Sequence, residues 1–297
     1  MANLNRSALL AKLHKVLRKY YKPVHPPERP VLEQLLFACC LENSRYEPAE
    51  EVFASVSTAF FDWNEVRVST VKELAEGMRG LSDPTAAAAS LKQTLQSAFE
   101  GTYSFDLETL KKQNLGQAIQ RLAKFNGTTP FTVGYVTQAA LGGHAIPLDR
   151  GALEVLHIIG AATDAEMKAA EVSGLERAIP KNKGVEFGSL LHQLGAELVA
   201  SPLSPAVHKI LLEIAPDAKD RLPKRHQKKP QPEPTPQPHH GSKAAAPAPA
   251  GKPGAVDKKK EESKKKPLPK AVAASKKIKT GAKKKSDAAK LVKRKPR

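Results

Sequence analysis

The sequence changes character near residue 220, and this break limits how much of the chain can fold. Residues 221–297 contain no Phe, Trp or Tyr, and 12 of the 24 prolines of the chain lie there. Such a segment cannot bury enough apolar surface to offset the entropy that it would lose on ordering. We therefore expect a disordered tail over residues 221–297. The first 220 residues suffice for one substantial core, or for two small ones around a cleft.

The charge divides at the same place. Residues 1–220 carry 23 Lys and Arg against 25 Asp and Glu, a net charge of −2, whereas residues 221–297 carry 25 against 5, a net charge of +20. Blocks of lysine neutralise phosphates and release counterions, so the tail predicts sequence-independent binding to nucleic acid. Acidic membrane lipid is the main alternative, but the tail has no apolar or aromatic face to anchor it. The predicted tail contacts to DNA are Lys258, Lys259, Lys260, Lys264, Lys265, Lys266, Lys283, Lys284, Lys285, Lys293, Arg294 and Lys295.

Two adjacent cysteines, Cys39 and Cys40, are the only thiols of the chain. Neighbouring cysteines rarely bridge each other, which indicates a reducing, intracellular compartment: a nucleoid and cytoplasm, or a nucleus. No cysteine cluster is present to hold zinc or an iron–sulfur centre, so we expect neither a metal nor a cofactor. No stretch is long and apolar enough to cross a bilayer, and the N-terminus does not have the pattern of a signal peptide.

Apolar residues recur with the helical period through the first 220 residues, and no hairpin of alternating strands is evident. The pattern predicts an all-α fold of about ten helices. The first helix, over residues 5–20, and a proline-rich connection fill residues 1–29. Pro30 then begins a second helix that is apolar nearly all round and is expected to be central. Near the end, TDAEMKAAEVSGLERAIP is predicted to be one helix.

The segment LAKFNGTTPFTVGYVTQAAL, residues 122–141, has the signals of two helices joined by a tight turn. The first helix is predicted to end at Phe125, and Thr129 caps the second, which begins with Pro130. Gly127 supplies the positive φ that the turn requires. Such a turn directs backbone N–H groups outward at a helix N-terminus, which makes a phosphate site that ignores base sequence. The predicted contacts to the DNA backbone are Asn126, Gly127, Thr128 and Thr129.

This hairpin, the order of helices from Pro30 to Pro216, and an aspartate about twenty residues beyond the hairpin glycine resemble the helix-hairpin-helix DNA glycosylase superfamily, of the endonuclease III type. RGLSDPTAAAASLKQTL is similar to the segment that leads to the family's barrel helix. PLDRGALEVL is similar to the stretch whose aspartate opens a helix and faces the extruded nucleotide. The resemblance implies a two-lobed all-α domain over residues 30–220, with the hairpin motif at about 114–141, and duplex DNA as partner.

The chain departs from the family pattern at three places. The family's nucleophilic lysine falls at Phe131, which has no amine to form a Schiff base, and its second hairpin glycine falls at Thr129. The stretch that matches the family's iron–sulfur loop has no Cys. The family's aspartate falls at Asp149, and in monofunctional members it stabilises the oxocarbenium-like sugar or activates water. The resemblance therefore implies a monofunctional DNA glycosylase if the protein is an active enzyme, with Asp149 as its carboxylate.

The residues around Asp149 allow other roles. An aspartate before a helix is a good N-cap, and capping is compatible with catalysis. Arg150 is assigned to a phosphate, or to an ion pair with Asp149. Base removal requires a flipped nucleotide and a wedge in its place, which the family position puts at Arg45 or Tyr46, an ordinary loop being the alternative. Aromatic candidates for a base pocket, each of which is otherwise a core residue, are Phe37, Phe60, Phe61, Trp63 and Tyr135.

Three functions stay open on the sequence alone. The first is a monofunctional glycosylase that a lysine-rich tail holds on DNA. The second is a catalytically inactive DNA-binding or architectural protein on the same fold, with a tail that resembles those of linker histones. The third is a helical partner-binding domain whose tail binds RNA. The net charge of −2 over the folded region counts against catalysis, because DNA enzymes usually present a basic face.

Overall fold

A computed structural model describes the backbone of residues 2–224 and the side chains of residues 6–224. The predicted tail begins at Arg221, but Arg221 donates to the Ile158 carbonyl and Leu222 packs against the core, so the boundary at residue 220 was wrong. The rest of the predicted tail, with its DNA contacts from Lys258 to Lys295, lies outside the described residues. Within residues 2–224 there are thirteen α-helices, two 3-10 helices and no strand, which confirms the all-α prediction. None of the described helices is long and apolar enough to span a bilayer. Over the same residues, His, Cys, Asp and Glu form no group of three or more that could hold a metal ion.

The helices divide between two hydrophobic cores, and each core defines one lobe. The helices of the first lobe are α2 (Val31–Leu41), α3 (Tyr46–Ala59), α4 (Trp63–Val68), α5 (Val71–Gly77), α6 (Pro84–Thr102), α7 (Leu115–Leu122) and α8 (Pro130–Ala139). Those of the second lobe are α1 (Ala2–Tyr20), α9 (Arg150–Ile158), α10 (Asp164–Ala169), α11 (Leu175–Ala178), α12 (Lys181–Ala200) and α13 (Pro205–Ile214). The 3-10 helices are Glu108–Lys112 and Pro216–Asp220. This arrangement confirms the two-lobed expectation.

Helix α2 lies at the centre of the first lobe. All of its residues except Glu33 are buried, and it packs against α3, α6 and α8. Its apolar character on every side, which predicted a central position, is therefore matched by neighbours on every side. The first helix of the chain, α1, packs against α12 and α13 and so completes the core of the second lobe.

Two predicted helices are shorter than expected. The first helix of the hairpin ends at Leu122 rather than at Phe125. The Thr128 hydroxyl donates a hydrogen bond to the Leu122 carbonyl oxygen at 3.0 Å and closes a turn there. The segment predicted as one helix over residues 163–180 is two helices, α10 and α11. Ala170 at φ 52° ends the first, and Gly174 at φ 78° precedes the second. Left-handed residues cannot continue a right-handed helix, so the prediction of one helix was wrong.

Helices α9 and α12 approach each other closely enough to exclude side chains at their crossing. A Cβ atom on Gly195 would lie 2.5 Å from the backbone nitrogen of Ala152 and 2.6 Å from the carbonyl carbon of Gly151. Neither helix can move away without opening the core of the second lobe. Two glycines that face each other therefore set the distance between these helices.

We expect Gly195→Ala to lower the free energy of unfolding by about 1–3 kcal/mol, because the added methyl group meets backbone atoms that cannot rotate away. The change is measured as a lower urea midpoint at constant slope. Gly77→Ala is the matched control, because a Cβ atom there has nothing within 4 Å and alanine favours the helix. An unchanged midpoint for Gly195→Ala would show that the two helices can separate without cost.

Candidate functional site

The hairpin between α7 and α8 is packed against α6 through its glycine. Gly127 has φ 89°, and a Cβ atom there would lie 2.5 Å from the Ser90 carbonyl oxygen. The Ser90 hydroxyl donates to the Gly127 carbonyl at 2.6 Å. Thr129 caps α8 in a reciprocal capping box with Thr132, and Pro130 is the first helical residue. Glycine is thus required twice at position 127, by the backbone conformation and by the contact with α6.

Three of the four predicted phosphate contacts use their backbone N–H groups inside the protein. The N–H groups of Asn126, Thr128 and Thr129 donate to Ser97 Oγ at 2.9 Å, to the Phe125 carbonyl at 3.3 Å and to Thr132 Oγ1 at 2.9 Å. Within the described part of the chain, the Gly127 N–H has no such acceptor. A phosphate at this hairpin would therefore be bound by the Gly127 N–H and the N-terminus of α8 rather than by four N–H groups.

Asp149 is the N-cap of α9, and its carboxylate is buried, with 1% of the residue exposed. Oδ1 accepts from the Ala152 N–H at 2.7 Å, and Oδ2 accepts from the Asn43 N–H at 3.1 Å. His192 Nδ1, from α12, lies 3.1 Å from Oδ2. Both carboxylate oxygens are thus engaged by groups from three different segments of the chain.

Both ring nitrogens of His192 face acceptors. Its Nε2 lies 2.8 Å from the Ser44 carbonyl oxygen, which can only accept, and its Nδ1 faces the Asp149 carboxylate. Burial acts to lower the pKa of His192, but the charge of Asp149 outweighs it and holds that pKa above 6.5. Burial likewise acts to raise the pKa of Asp149, and the charge of His192 with the two backbone N–H groups holds it below 3.8. Both shifts favour an imidazolium–carboxylate ion pair at this site.

His192 was not among the residues singled out from the sequence. It stands in GVEFGSLLHQLGAELVA, a helix whose apolar neighbours indicate burial. A buried histidine needs polar partners, so this position in the sequence implies that a partner exists but does not identify it.

Phe131, where the family resemblance predicted that a lysine is replaced, is 2% exposed. Its ring stacks on the imidazole of His192 with a centroid separation of 5.6 Å and an interplanar angle of 25°. The basic side chain beside Asp149 therefore comes from α12. An imidazolium in this position supplies charge but cannot form the Schiff base of the lysine-dependent reaction.

One short loop, residues 42–44, joins the hairpin to Asp149. Glu42 Oε2 accepts from the Thr129 hydroxyl at 3.0 Å. Asn43 donates its N–H to Asp149, and its Oδ1 accepts from the Arg150 N–H at 3.1 Å. Asn43 has φ 59°, a left-handed conformation that asparagine adopts more readily than most residues other than glycine.

The remaining predicted residues lie around this loop. Arg45 is exposed and directly precedes α3. Tyr46 is half-buried, and its ring centroid lies 5.5 Å from that of Phe37 in an edge-to-face arrangement. Both residues directly follow the loop at residues 42–44, where the family resemblance predicted a wedge. The ion partner of Asp149 is His192, and the side chain of Arg150 is exposed. A wedge role for Arg45 or Tyr46 and a phosphate contact for Arg150 stay predictions.

Of the aromatic candidates for a base pocket, Phe60, Phe61 and Trp63 line an open groove of about 350 Å³, whereas Tyr135 lines only a small cavity. Tyr135, Phe131, Tyr46 and His192 line a cavity of about 30 Å³, which holds a water or two but no nucleobase. Phe37 belongs to the core of the first lobe, and Phe60 and Trp63 pack against that core. Phe61 is 96% exposed. A separate open groove of about 420 Å³ is lined by Glu42, Asn43, Asp83, Gly127, Thr128 and Thr129, among others.

We expect His192→Gln to lower the free energy of unfolding by about 3–5 kcal/mol, because it leaves the buried Asp149 carboxylate without a counter-charge. The pKa of His192 is raised, so its contribution is complete below pH 6.5 and is lost as pH rises above that value. The pKa of Asp149 is lowered, so its contribution is complete above pH 3.8 and is lost as pH falls below it. The loss is therefore largest between these values.

His157→Gln is the matched control for this variant, because His157 Nε2 pairs with Asp164 at 2.9 Å on the surface. An exposed pair contributes less than about 1 kcal/mol, so its removal should barely shift the urea midpoint. Equal losses for the two variants would show that the buried pair has no special weight.

No protein-family model and no curated protein matches the sequence. Among solved structures, an endonuclease III trapped as a covalent intermediate with DNA shares 16% identity at a TM-score of 0.53, over 75% of this chain and 99% of that one. A thermostable thymine-DNA glycosylase shares 14% identity at a TM-score of 0.47, over 68% and 89% of the two chains. The 8-oxoguanine glycosylase/lyase of Clostridium acetobutylicum shares 18% identity at a TM-score of 0.46, over 64% and 67%.

Proposed function

We propose that this chain, whose described helices have the fold of the helix-hairpin-helix DNA glycosylases, is a DNA-binding protein of base-excision repair and a monofunctional DNA glycosylase. Asp149 is its catalytic carboxylate. The observation that supports this proposal is the loop at residues 42–44, which contacts both the hairpin cap Thr129 and Asp149. An ionised carboxylate and a backbone anchor for phosphate are thereby held in one part of the molecule.

Binding in this proposal is divided between the hairpin and the tail. The Gly127 N–H and the N-terminus of α8 hold one phosphate and fix the register of the duplex without charged side chains. Residues 1–224 carry 25 basic and 25 acidic side chains, a net charge of zero, so they add little long-range attraction. The lysine blocks of residues 225–297 supply the attraction to the backbone.

The chemistry requires only the negative charge of Asp149. As the bond between the base and C1′ breaks, its electron pair leaves with the base, and the carboxylate stabilises the positive charge that develops on the sugar. Water then adds to C1′ and releases a proton, and the base gains one, which leaves an abasic site. Phe131 provides no amine, so no Schiff base forms and the strand stays intact.

The substrate reaches Asp149 only after its cover opens. Phe131 and His192 close one side of the carboxylate, and Asn43 closes another. Since Asn43 is held against Asp149 and Arg150 by only two hydrogen bonds, the loop that contains it is the segment that DNA displaces in this proposal.

A second candidate function, a catalytically inactive DNA-binding or architectural protein, is supported by a different observation. The side chain of Asp149 is 0% exposed, and the neighbouring cavity of about 30 Å³ is too small for a base. In this alternative the ion pair with His192 is structural, and the glycosylase fold serves only to place the hairpin on DNA.

Single-turnover base release from duplexes that carry alkylated, oxidised, deaminated or mismatched bases separates the two functions. With a monofunctional glycosylase, the strand breaks only after alkali cleaves the abasic sites that the enzyme has left. Cutting without alkali would show a lyase and disprove the monofunctional mechanism. Tight duplex binding with no release from any substrate would favour the inactive alternative.

A further inference from the structure

We propose that the Glu42 carboxylate is an internal competitor for the DNA phosphate at the hairpin, so that duplex binding there takes up one proton. This inference rests on the proposed function, because it requires the hairpin to be a DNA contact. It adds to that function a coupling between DNA affinity and pH at the same site.

The carboxylate of Glu42 lies where an anion bound to the hairpin would lie. Its Oε2 accepts from the hydroxyl of Thr129, the N-cap of α8, at 3.0 Å. The N-terminus of a helix carries partial positive charge and attracts anions. Glu42 also lines the open groove of about 420 Å³ together with Gly127 and Thr128. A phosphate that approached the Gly127 N–H along this groove would meet the carboxylate.

The charges around Glu42 do not neutralise it. Asp149, which accepts from the Asn43 N–H, adds negative charge near Glu42. Asp83 lines the same groove as Glu42. Within the described part of the chain, no Lys, Arg or His forms an ion pair with Glu42, and His192 is paired with Asp149. Cys39, on the preceding turn of α2, is a neutral thiol because burial raises its pKa to about 11.

Glu42 therefore changes charge near neutral pH. Burial and then the charge of Asp149 raise its pKa to about 7, against the opposing hydrogen bond from Thr129. Two negative groups at one small site repel each other, and protonation of the weaker acid removes the repulsion. The neutral carboxyl group can instead donate its proton to a phosphate oxygen.

The size of the effect follows from linkage. When only the protonated form admits the phosphate, affinity follows the protonated fraction of Glu42. With a pKa of about 7, that fraction falls roughly tenfold between pH 6 and pH 8. Glutamine at position 42 keeps the shape and an acceptor for Thr129 but has no charge to lose.

The test compares the full-length wild type with Glu42→Gln for binding to an undamaged duplex, at pH 6 and pH 8 and equal ionic strength. Glu171→Gln, at an exposed site in the second lobe, is the matched control for loss of one negative charge. We expect Glu42→Gln to bind about tenfold more tightly than the wild type at pH 8 and equally, within about twofold, at pH 6. Glu171→Gln should follow the wild type at both values.

A third variant separates this inference from the proposed function. Asn126→Asp adds a negative charge at the exposed tip of the hairpin and should weaken binding severalfold at both pH values. If it does so while Glu42→Gln keeps the pH dependence of the wild type, the role of Glu42 is disproved and the hairpin contact stands. If Asn126→Asp has no effect, the hairpin is not a DNA contact and both proposals fail. An equal gain for Glu42→Gln at both pH values would also overturn proton uptake.

Discussion

Asp149→Asn is expected to lower the single-turnover rate of base release by about 10²–10⁴-fold on any lesion that the wild type processes. Asparagine is as good an N-cap as aspartate, so the start of α9 is preserved, but the ion pair with His192 is lost and the urea midpoint must be measured on the same protein. The substitution removes the negative charge that stabilises the sugar in the transition state. At pH 6, where Glu42 is largely protonated, duplex affinity should stay within about twofold of the wild type, because the hairpin and the tail are unchanged.

Asp62→Asn is the control for this experiment. Asp62 caps α4 and accepts from the Glu65 N–H at 2.8 Å, as Asp149 caps α9, but it is exposed, has no histidine partner and lies outside the groove at the hairpin. Equal losses of base release in the two variants would indicate a general effect of altered caps. Full activity in Asp149→Asn would remove Asp149 from the mechanism.

A chain that ends at Lys224 is expected to bind duplex DNA at least about 10³-fold more weakly than the full chain at physiological salt. Residues 225–297 carry 23 basic and 5 acidic side chains, a net charge of +18, and residues 1–224 are neutral. Because each neutralised phosphate releases a counterion, loss of the tail should also flatten the plot of log affinity against log salt concentration.

The position of the cut determines whether removal of the tail also changes the stability of the second lobe. Arg221 Nε donates to the Ile158 carbonyl at 2.7 Å, and Leu222 packs against the core of the second lobe. A cut at Asp220 would remove both contacts, whereas a cut after Lys224 keeps them, so the urea midpoint should not change. Equal salt slopes for the two chains would exclude the tail from DNA binding.

The local features of the hairpin could be predicted from the sequence. Thr129 before Pro130 indicates a helix start, and Gly127 indicates a left-handed turn, because both signals depend on residues within one turn of each other. The structure has these features where they were expected. The same holds for the caps at Asp83 and Asp149. Neither catalysis nor phosphate binding follows from capping alone.

The contacts that close the candidate site could not be predicted. Asp149 is paired with His192 across 43 residues and bound to Asn43 across 106 residues, and no periodic pattern encodes such contacts. His192 was not singled out from the sequence; its apolar neighbours in α12 are a signal of burial, but its partner depends on how α12 packs against α9. The division of residues 163–180 into two helices was missed because Ala170, a strong helix former, adopts the left-handed conformation.

The crossing of α9 and α12 determines which part of the molecule must yield to admit a nucleotide. Gly151 and Gly195 bring the two backbones into contact, so Asp149 and His192 are carried by one rigid frame. Helices α9 and α12 therefore cannot shift relative to each other to expose the Asp149 carboxylate. The first lobe contributes Phe131 and the loop at residues 42–44 to the enclosure, and the loop is the part that moves in this proposal. Asp149 is thus exposed when the loop at residues 42–44 detaches from helices α9 and α12, which stay in place. The backbone amides of Asn43 and Arg150 should become open to hydrogen exchange in the same event.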